Sequence, residues 1–101
     1  MTDLEMTKLC AEAMGIEIDE QCTYRQGTRI YHPLHDDAQA MALVKKFPMT
    51  IEPPVLTVDG YWHIESVEII DGICPDVYDK DLNRAICECV AKIEKAKHAQ
   101  G

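Results

Sequence analysis

His32, His35, Asp36 and Asp37 form the densest group of ligand-type side chains in the chain. Imidazoles and carboxylates suit zinc and other divalent ions, so a metal-dependent hydrolase using His32, His35 and Asp36 is one chemistry these residues could support. The spacing argues against it. Pro33 keeps the two histidines off a common helix face, and the aspartates already have a role in starting a helix. His63 joins the group only if the fold brings its segment close. Cys87-Glu88-Cys89 is equally weak as a metal or redox motif, because residues two apart on a helix point about 200° apart. That places Cys89 in the apolar stripe of its segment and leaves Cys87 outside it. Nucleophilic catalysis needs a thiol or hydroxyl beside a base, and Cys22, Cys74 and the four histidines show no such arrangement. The five glycines stand apart, so no loop is built to cradle phosphate. A small nucleotide could still be held by stacking on Tyr31, Tyr61 or Trp62, with Arg25 and Arg29 as cations. The candidate binding residues are therefore Tyr31, His32, His35, Tyr61, Trp62 and His63, with no catalytic, metal or cofactor residue assigned.

The charge balance narrows the partners. Eighteen acidic against ten basic residues leave a net charge of -8, which disfavours neutralising phosphates, and direct nucleic-acid binding is not expected. Acidic residues at 17, 19, 20, 65, 68, 71, 76, 79 and 81 could imitate a phosphate backbone. Solubility alone accounts for a charge of this size and is the preferred reading. The 101 residues, 47% of them hydrophobic, suit one domain over 1–101. No apolar run approaches the roughly 18 residues of a membrane span, and the start shows no basic flank before an apolar signal core, so the cytoplasm is the expected location. Five scattered cysteines without such a signal read as reduced thiols rather than a disulfide framework. Alkylation is expected to reach Cys22 or Cys74 before Cys10 and Cys89.

The elements that must position these groups follow from local signals. Thr2 and Glu5 stand at capping-box spacing ahead of a stripe of Met6, Leu9, Cys10 and Ala13, and Gly15 is a suitable stop, which predicts a helix over 3–14. Residues 16–28 read as a short strand or a polar loop. Arg29 to Leu34 look extended, then Asp36 with Gln39 opens a helix over 37–46 that Pro48 ends. Met49 to Glu52 is β-compatible. Beyond Pro53-Pro54, Asp59-Gly60 predicts a tight hairpin of 55–58 with 61–64, since both central positions of a type I′ turn need positive φ. In that register Val55, Thr57, Trp62 and Ile64 face the helices, and Leu56, Val58, Tyr61 and His63 form an apolar opposite face. Ser66 to Ile70 could extend the sheet. The last helix, capped by Asp79 or Asp81, carries one stripe of Leu82, Ala85, Ile86, Cys89, Val90 and Ile93, with a basic end at Lys92, Lys95, Lys97 and His98 that suits the helix dipole. The fold class expected is α+β, a small antiparallel sheet with three helices packed on it in an α/β/α sandwich-like arrangement.

Tyr31-His32-Pro33-Leu34-His35-Asp36-Asp37-Ala38, the hairpin Asp59-Gly60-Tyr61-Trp62 and the helix start Asp81-Leu82-Asn83-Arg84-Ala85-Ile86 together resemble the phage alpha-beta-alpha sandwich domain family. The resemblance runs over most of the chain, though His32 stands where such proteins often have Asn, and Glu17 to Gly27 has no counterpart. It implies a small accessory protein of a tailed phage or prophage and transfers no catalytic residues. The expected function is accordingly non-enzymatic binding of a host or phage macromolecule, host-defence inhibition being one such role. Binding of a small nucleotide ligand is the alternative. The Leu56, Val58 and Tyr61 face is the candidate interface, expected to meet its own copy across a twofold axis. Light scattering at micromolar concentration is expected to give the mass of a dimer, and a one-chain mass that persists on concentration would exclude it.

Overall fold

The computed structural model describes residues 1–16, 25–26, 29–57, 59–70, 72 and 74–100. Helix starts lie where short side chains can accept from free backbone amides. Helix α1 spans Asp3–Ala13, and Thr2 accepts from the Glu5 amide at 3.1 Å. Gly15, in the left-handed region at φ 71°, ends it, and the Ile16 amide returns to the Ala11 carbonyl at 2.8 Å. Helix α2 spans Asp37–Lys46, the range expected, with Asp36 accepting from the Gln39 amide at 3.0 Å. Helix α3 spans Leu82–Gln100 and is capped by Asp81, which accepts from the Asn83 amide at 3.0 Å.

Two short strands, β1 (Arg25–Gln26) and β2 (Arg29–Ile30), pair with each other. The main sheet is antiparallel in the order β3 (Met49–Glu52), β4 (Trp62–Ser66) and β5 (Asp76–Asp79). The α+β class is as expected. The predicted hairpin is corrected. Residues 55–57 do not pair with 61–64; Pro54–Leu56 form a short 3-10 turn, and β4 pairs instead with β3, His63 opposite Glu52 and Ile64 opposite Ile51. Pro54 has no amide to give a ladder, and Pro at the start of a 3-10 turn is well suited by its fixed φ. Gly60 does turn the chain at φ 71°, but inside the longer 53–61 connection. Val55 is 88% exposed rather than facing the helices, Leu56 lies exposed in the turn, and Tyr61 is half-buried. The strand that was to supply a Leu56, Val58 and Tyr61 face is thus missing over 55–57, and Val58 lies outside the described residues. Of Ser66 to Ile70, Ser66 closes β4 opposite Met49 and the chain then turns, with Ser66 Oγ accepting from the Glu68 amide at 3.0 Å, while Ile70 makes an isolated bridge. The 16–28 segment lies largely outside the described residues.

The partner strand differs from expectation by four residues, an even number, so the sides of β4 are unchanged. Ile51, Ile64 and Val77 form one cross-strand row facing α3, and Ile64 and Val77 are buried. Helix α3 packs on β4 and β5 and also on α1 and α2. Its buried arc is therefore wider than one stripe: Ala85, Ile86, Cys87, Cys89, Val90, Ala91 and Ile93 are all buried, and Leu82 is half-buried against them. Cys87, expected outside the stripe, is buried on the side that meets α1, where the Cys10 thiol donates to its carbonyl at 3.4 Å. Met6, Leu9 and Ala91 complete that contact. At the far end Lys97 lies 5.4 Å from the Phe47 ring centroid and His98 lies 3.1 Å from Glu94, so the basic end is a paired helix terminus.

Ile86 lies at the centre of this packing, 1% exposed. Ile86→Ala is expected to lower the unfolding free energy by about 2–5 kcal/mol, transfer and cavity terms combined, as read from urea melts. A midpoint equal to the parent's would remove Ile86 from the core.

Candidate functional site

The opposite face of the sheet is assembled by the same register. Alternation along β3, β4 and β5 sends Thr50, Glu52, His63, Glu65, Asp76 and Tyr78 outward. Among the described residues no helix packs over them, and Thr50, Glu65, Asp76 and Tyr78 are exposed. The Pro54–Leu56 turn folds beside this face, and Thr57 fixes it. Thr57 Oγ1 lies 2.7 Å from the Tyr61 carbonyl and 3.2 Å from the Pro54 carbonyl. The result is a cleft of about 340 Å³ lined by Glu52, Leu56, Thr57, Asp59, His63 and Tyr78.

His63 is the centre of the cleft. Its ring stacks on Tyr78, its direct cross-strand neighbour, at 4.2 Å between centroids and 11° between planes. Its Nδ1 lies 3.4 Å from Glu52 Oε1 and its Nε2 lies 3.4 Å from Asp76 Oδ2. Only 12% of the side-chain surface is exposed, and Nε2 is buried without a hydrogen-bond partner among the described residues. Lys80 approaches the neighbouring Tyr61 ring at 5.6 Å. The cleft thus combines an apolar and aromatic wall, Leu56 with Tyr78, and an acidic rim, Glu52 and Asp59, extended by Glu65 and Asp76.

The sequence candidates fall in separate places. Tyr61, Trp62 and His63 sit together at the start of β4, with Trp62 on the helix-facing side opposite Asp79. Tyr31 is buried in the core, and its hydroxyl has no partner among the described residues. Burial pushes its ionisation up, with Cys10 and Cys87 beside it, and the same burial leaves no ring face for ligand stacking. His32 and His35 are exposed in the turn before α2, and Asp36 caps that helix. Gln39 occupies this turn from within, accepting from the His32 amide at 2.8 Å and donating to the Ile30 carbonyl at 3.1 Å. The close groups of ligand-type side chains among the described residues lie elsewhere, at Glu12, Glu94 and His98 and at His63, Glu65 and Asp76. The side chains of Arg25 and Arg29 and all of Cys22 lie outside the described residues.

Sequence reasoning missed Glu52 and Tyr78, and reached Asp76 only as one acid of a possible phosphate-like surface. Asp76-Val77-Tyr78-Asp79 does carry a usable signal, an adjacent β-branched and aromatic residue flanked by acids directly after Pro75. A second hollow of about 320 Å³ lies between the starts of α2 and α3, lined by Asp37, Met41, Asp81 and Asn83 among others. Asn83 Nδ2 donates to Asp37 Oδ1 there at 2.7 Å, and the aspartates occupy the positions an anion would seek.

The thiols of Cys10, Cys87 and Cys89 are packing groups. A hydrogen bond toward Cys87, then burial, holds the Cys10 proton far above the usual range. Burial pushes the Cys89 thiol up to about 11, against the lowering effect of Lys92. No helix among the described residues is long and apolar enough to cross a membrane. No family model, curated protein or solved structure matches the chain.

Raised thiol pKa values give an alkaline limit. Below the ordinary value of 9.0 both folded and unfolded chains keep the Cys89 proton and its contribution is intact. Above it the unfolded chain releases that proton first, so stability falls as pH rises from 9.0 through about 11. Urea melts at pH 8 and pH near 10.5 are expected to show this loss, with a shallower dependence in Cys89→Ala.

Proposed function

We propose that the chain is a small non-enzymatic accessory protein that binds another protein through the outer face of its sheet. The observation that carries this reading is the cleft around His63, where exposed Leu56 and Tyr78 adjoin the carboxylates of Glu52, Asp59, Glu65 and Asp76. An apolar anchor ringed by one sign of charge suits a partner surface of basic residues around an apolar side chain. The net charge of -8 favours the same class of partner. A twofold contact of this face with its own copy would set the carboxylates against each other, so a different protein is the better fit. The Thr57 hydroxyl is committed to backbone carbonyls, and the Cys10 and Cys89 thiols are buried and protonated, which supports binding over nucleophilic catalysis. The resemblance of the Tyr31 to Ala38 segment to the phage alpha-beta-alpha sandwich domains supports a phage or prophage context, with a host or phage protein in the host cytoplasm as target and inhibition of a host defence as one outcome.

The test uses the tagged full chain to capture partners from infected cells, followed by binding measurements on the purified pair. Leu56→Ser and Asp59→Lys alter exposed cleft positions and are each expected to weaken the pair at least about tenfold, a loss of roughly 1.4 kcal/mol. Lys8→Ala on α1 is expected to bind as the parent does, and raised salt to weaken the parent's binding. A partner held equally by both cleft variants would remove the outer face from the function.

A further inference from the structure

We infer that His63 Nε2, Asp76 and Glu65 form a site for a divalent cation of the zinc type, with Glu52 holding the imidazole in its ligating form. Glu65 and Asp76 stand directly opposite each other on β4 and β5, and two like charges in a cross-strand pair repel. His63 lies two residues from Glu65 on the same side of β4, so the imidazole adjoins both carboxylates. One donor atom from each of the three lies within 4.8 Å of the others.

Both ring nitrogens of His63 face a carboxylate. Nδ1 stands in hydrogen-bond geometry to Glu52 Oε1 at 3.4 Å and Nε2, at 3.4 Å from Asp76 Oδ2, does not, so the geometry suits an N–H on Nδ1 and a lone pair on Nε2. Nε2 is wholly buried and makes no hydrogen bond to that oxygen. A cation would join these two atoms, and the missing hydrogen-bond geometry between them favours a metal ion over a proton in that place. With metal–ligand bonds of about 2.1 Å, tetrahedral coordination sets neighbouring donors about 3.4 Å apart. The Nε2 to Oδ2 distance is 3.4 Å. The exposed Glu65 carboxylate closes the third position by side-chain rotation, and water takes what remains. A carboxylate on the far nitrogen of a metal-bound histidine is the usual way its tautomer is set. At the other cluster, His98 Nε2 is already paired with Glu94 at 3.1 Å one helical turn away, so it lacks this open lone pair. One imidazole with two carboxylates and no sulfur favours zinc or a similar first-row ion over calcium or magnesium. The site shares Glu52, Glu65 and Asp76 with the proposed docking face, but the two are tested apart, because Leu56 and Asp59, which test the docking reading, are not ligands.

The test is titration of the metal-stripped full chain with zinc alone, followed by calorimetry, with cobalt as a spectroscopic probe. One equivalent is expected to bind. Asp76→Asn and His63→Ala are expected to weaken it at least about 100-fold, and Glu52→Gln about 10- to 100-fold as a positioning residue. His98→Ala is expected to bind as the parent does. In the long-range nitrogen–proton spectrum, His63 Nε2 shifts on addition of zinc while Nδ1 keeps its proton. No binding by the parent would overturn the site, as would a thiolate-to-cobalt charge-transfer band or parent-like affinity in Asp76→Asn. Should His63→Ala lose its near-ultraviolet dichroism, Asp76→Asn at its exposed position decides alone.

Discussion

Burial of α3 against the three-stranded sheet, α1 and α2 at once is the contact that holds these elements together. Strands of four and five residues and helices of ten and eleven are too short to persist alone. One helix of nineteen residues gives them a common surface. It can do so because Ala85, Cys87, Cys89 and Ala91 are small and alternate with Ile86, Val90 and Ile93. Small side chains let neighbouring backbones approach, and the branched ones fill the space between them. Cysteine here is a compact apolar residue, which explains thiols on two helices without any redox role. Lys46 on α2 donates to the Ala13 carbonyl at 2.7 Å, and Arg84 pairs with Asp3, so the ends of α1 are tied to the elements that flank it.

The parts of this fold legible in the sequence are those decided within a few residues. Thr2, Asp36 and Asp81 mark helix starts because a cap needs only a side-chain oxygen and the next turn's amides. The second buried side of α3 was not legible, since Cys87 and Ala91 are as compatible with solvent as with packing and only the position of α1 decides. The hairpin failed for a similar reason. Asp59-Gly60 does turn the chain, but a dipeptide cannot report that Pro53-Pro54 displaces the partner strand. The inward side of Ile64 survived because the displacement is even.

The outer-face cluster was legible in one member only. His63 stood out by residue type, whereas Glu52 and Asp76 lie 11 and 13 positions away on neighbouring strands. Register alone places them at the two ring nitrogens. A cluster drawn from three strands in this way leaves no spacing motif, and that is the physical reason the His32, His35 and Asp36 group attracted attention instead. Adjacency in the chain put those three side by side, while Asp36 went to the helix and both rings to solvent.

The sheet also has two edges. Among the described residues, strands β3 and β5 each present one side that no other strand of the sheet pairs. Unpaired edges invite another chain to add a strand, and long flat ones seed fibrils. Here β3 is bracketed by Pro48 and Pro53, and β5 lies between Pro75 and the run Asp79-Lys80-Asp81. A proline withholds the amide that an incoming strand would use, and charges on the edge raise the cost of desolvating it. Four-residue edges stopped in this manner allow sheet-like contact with a specific partner yet give a growing aggregate too short a template to propagate.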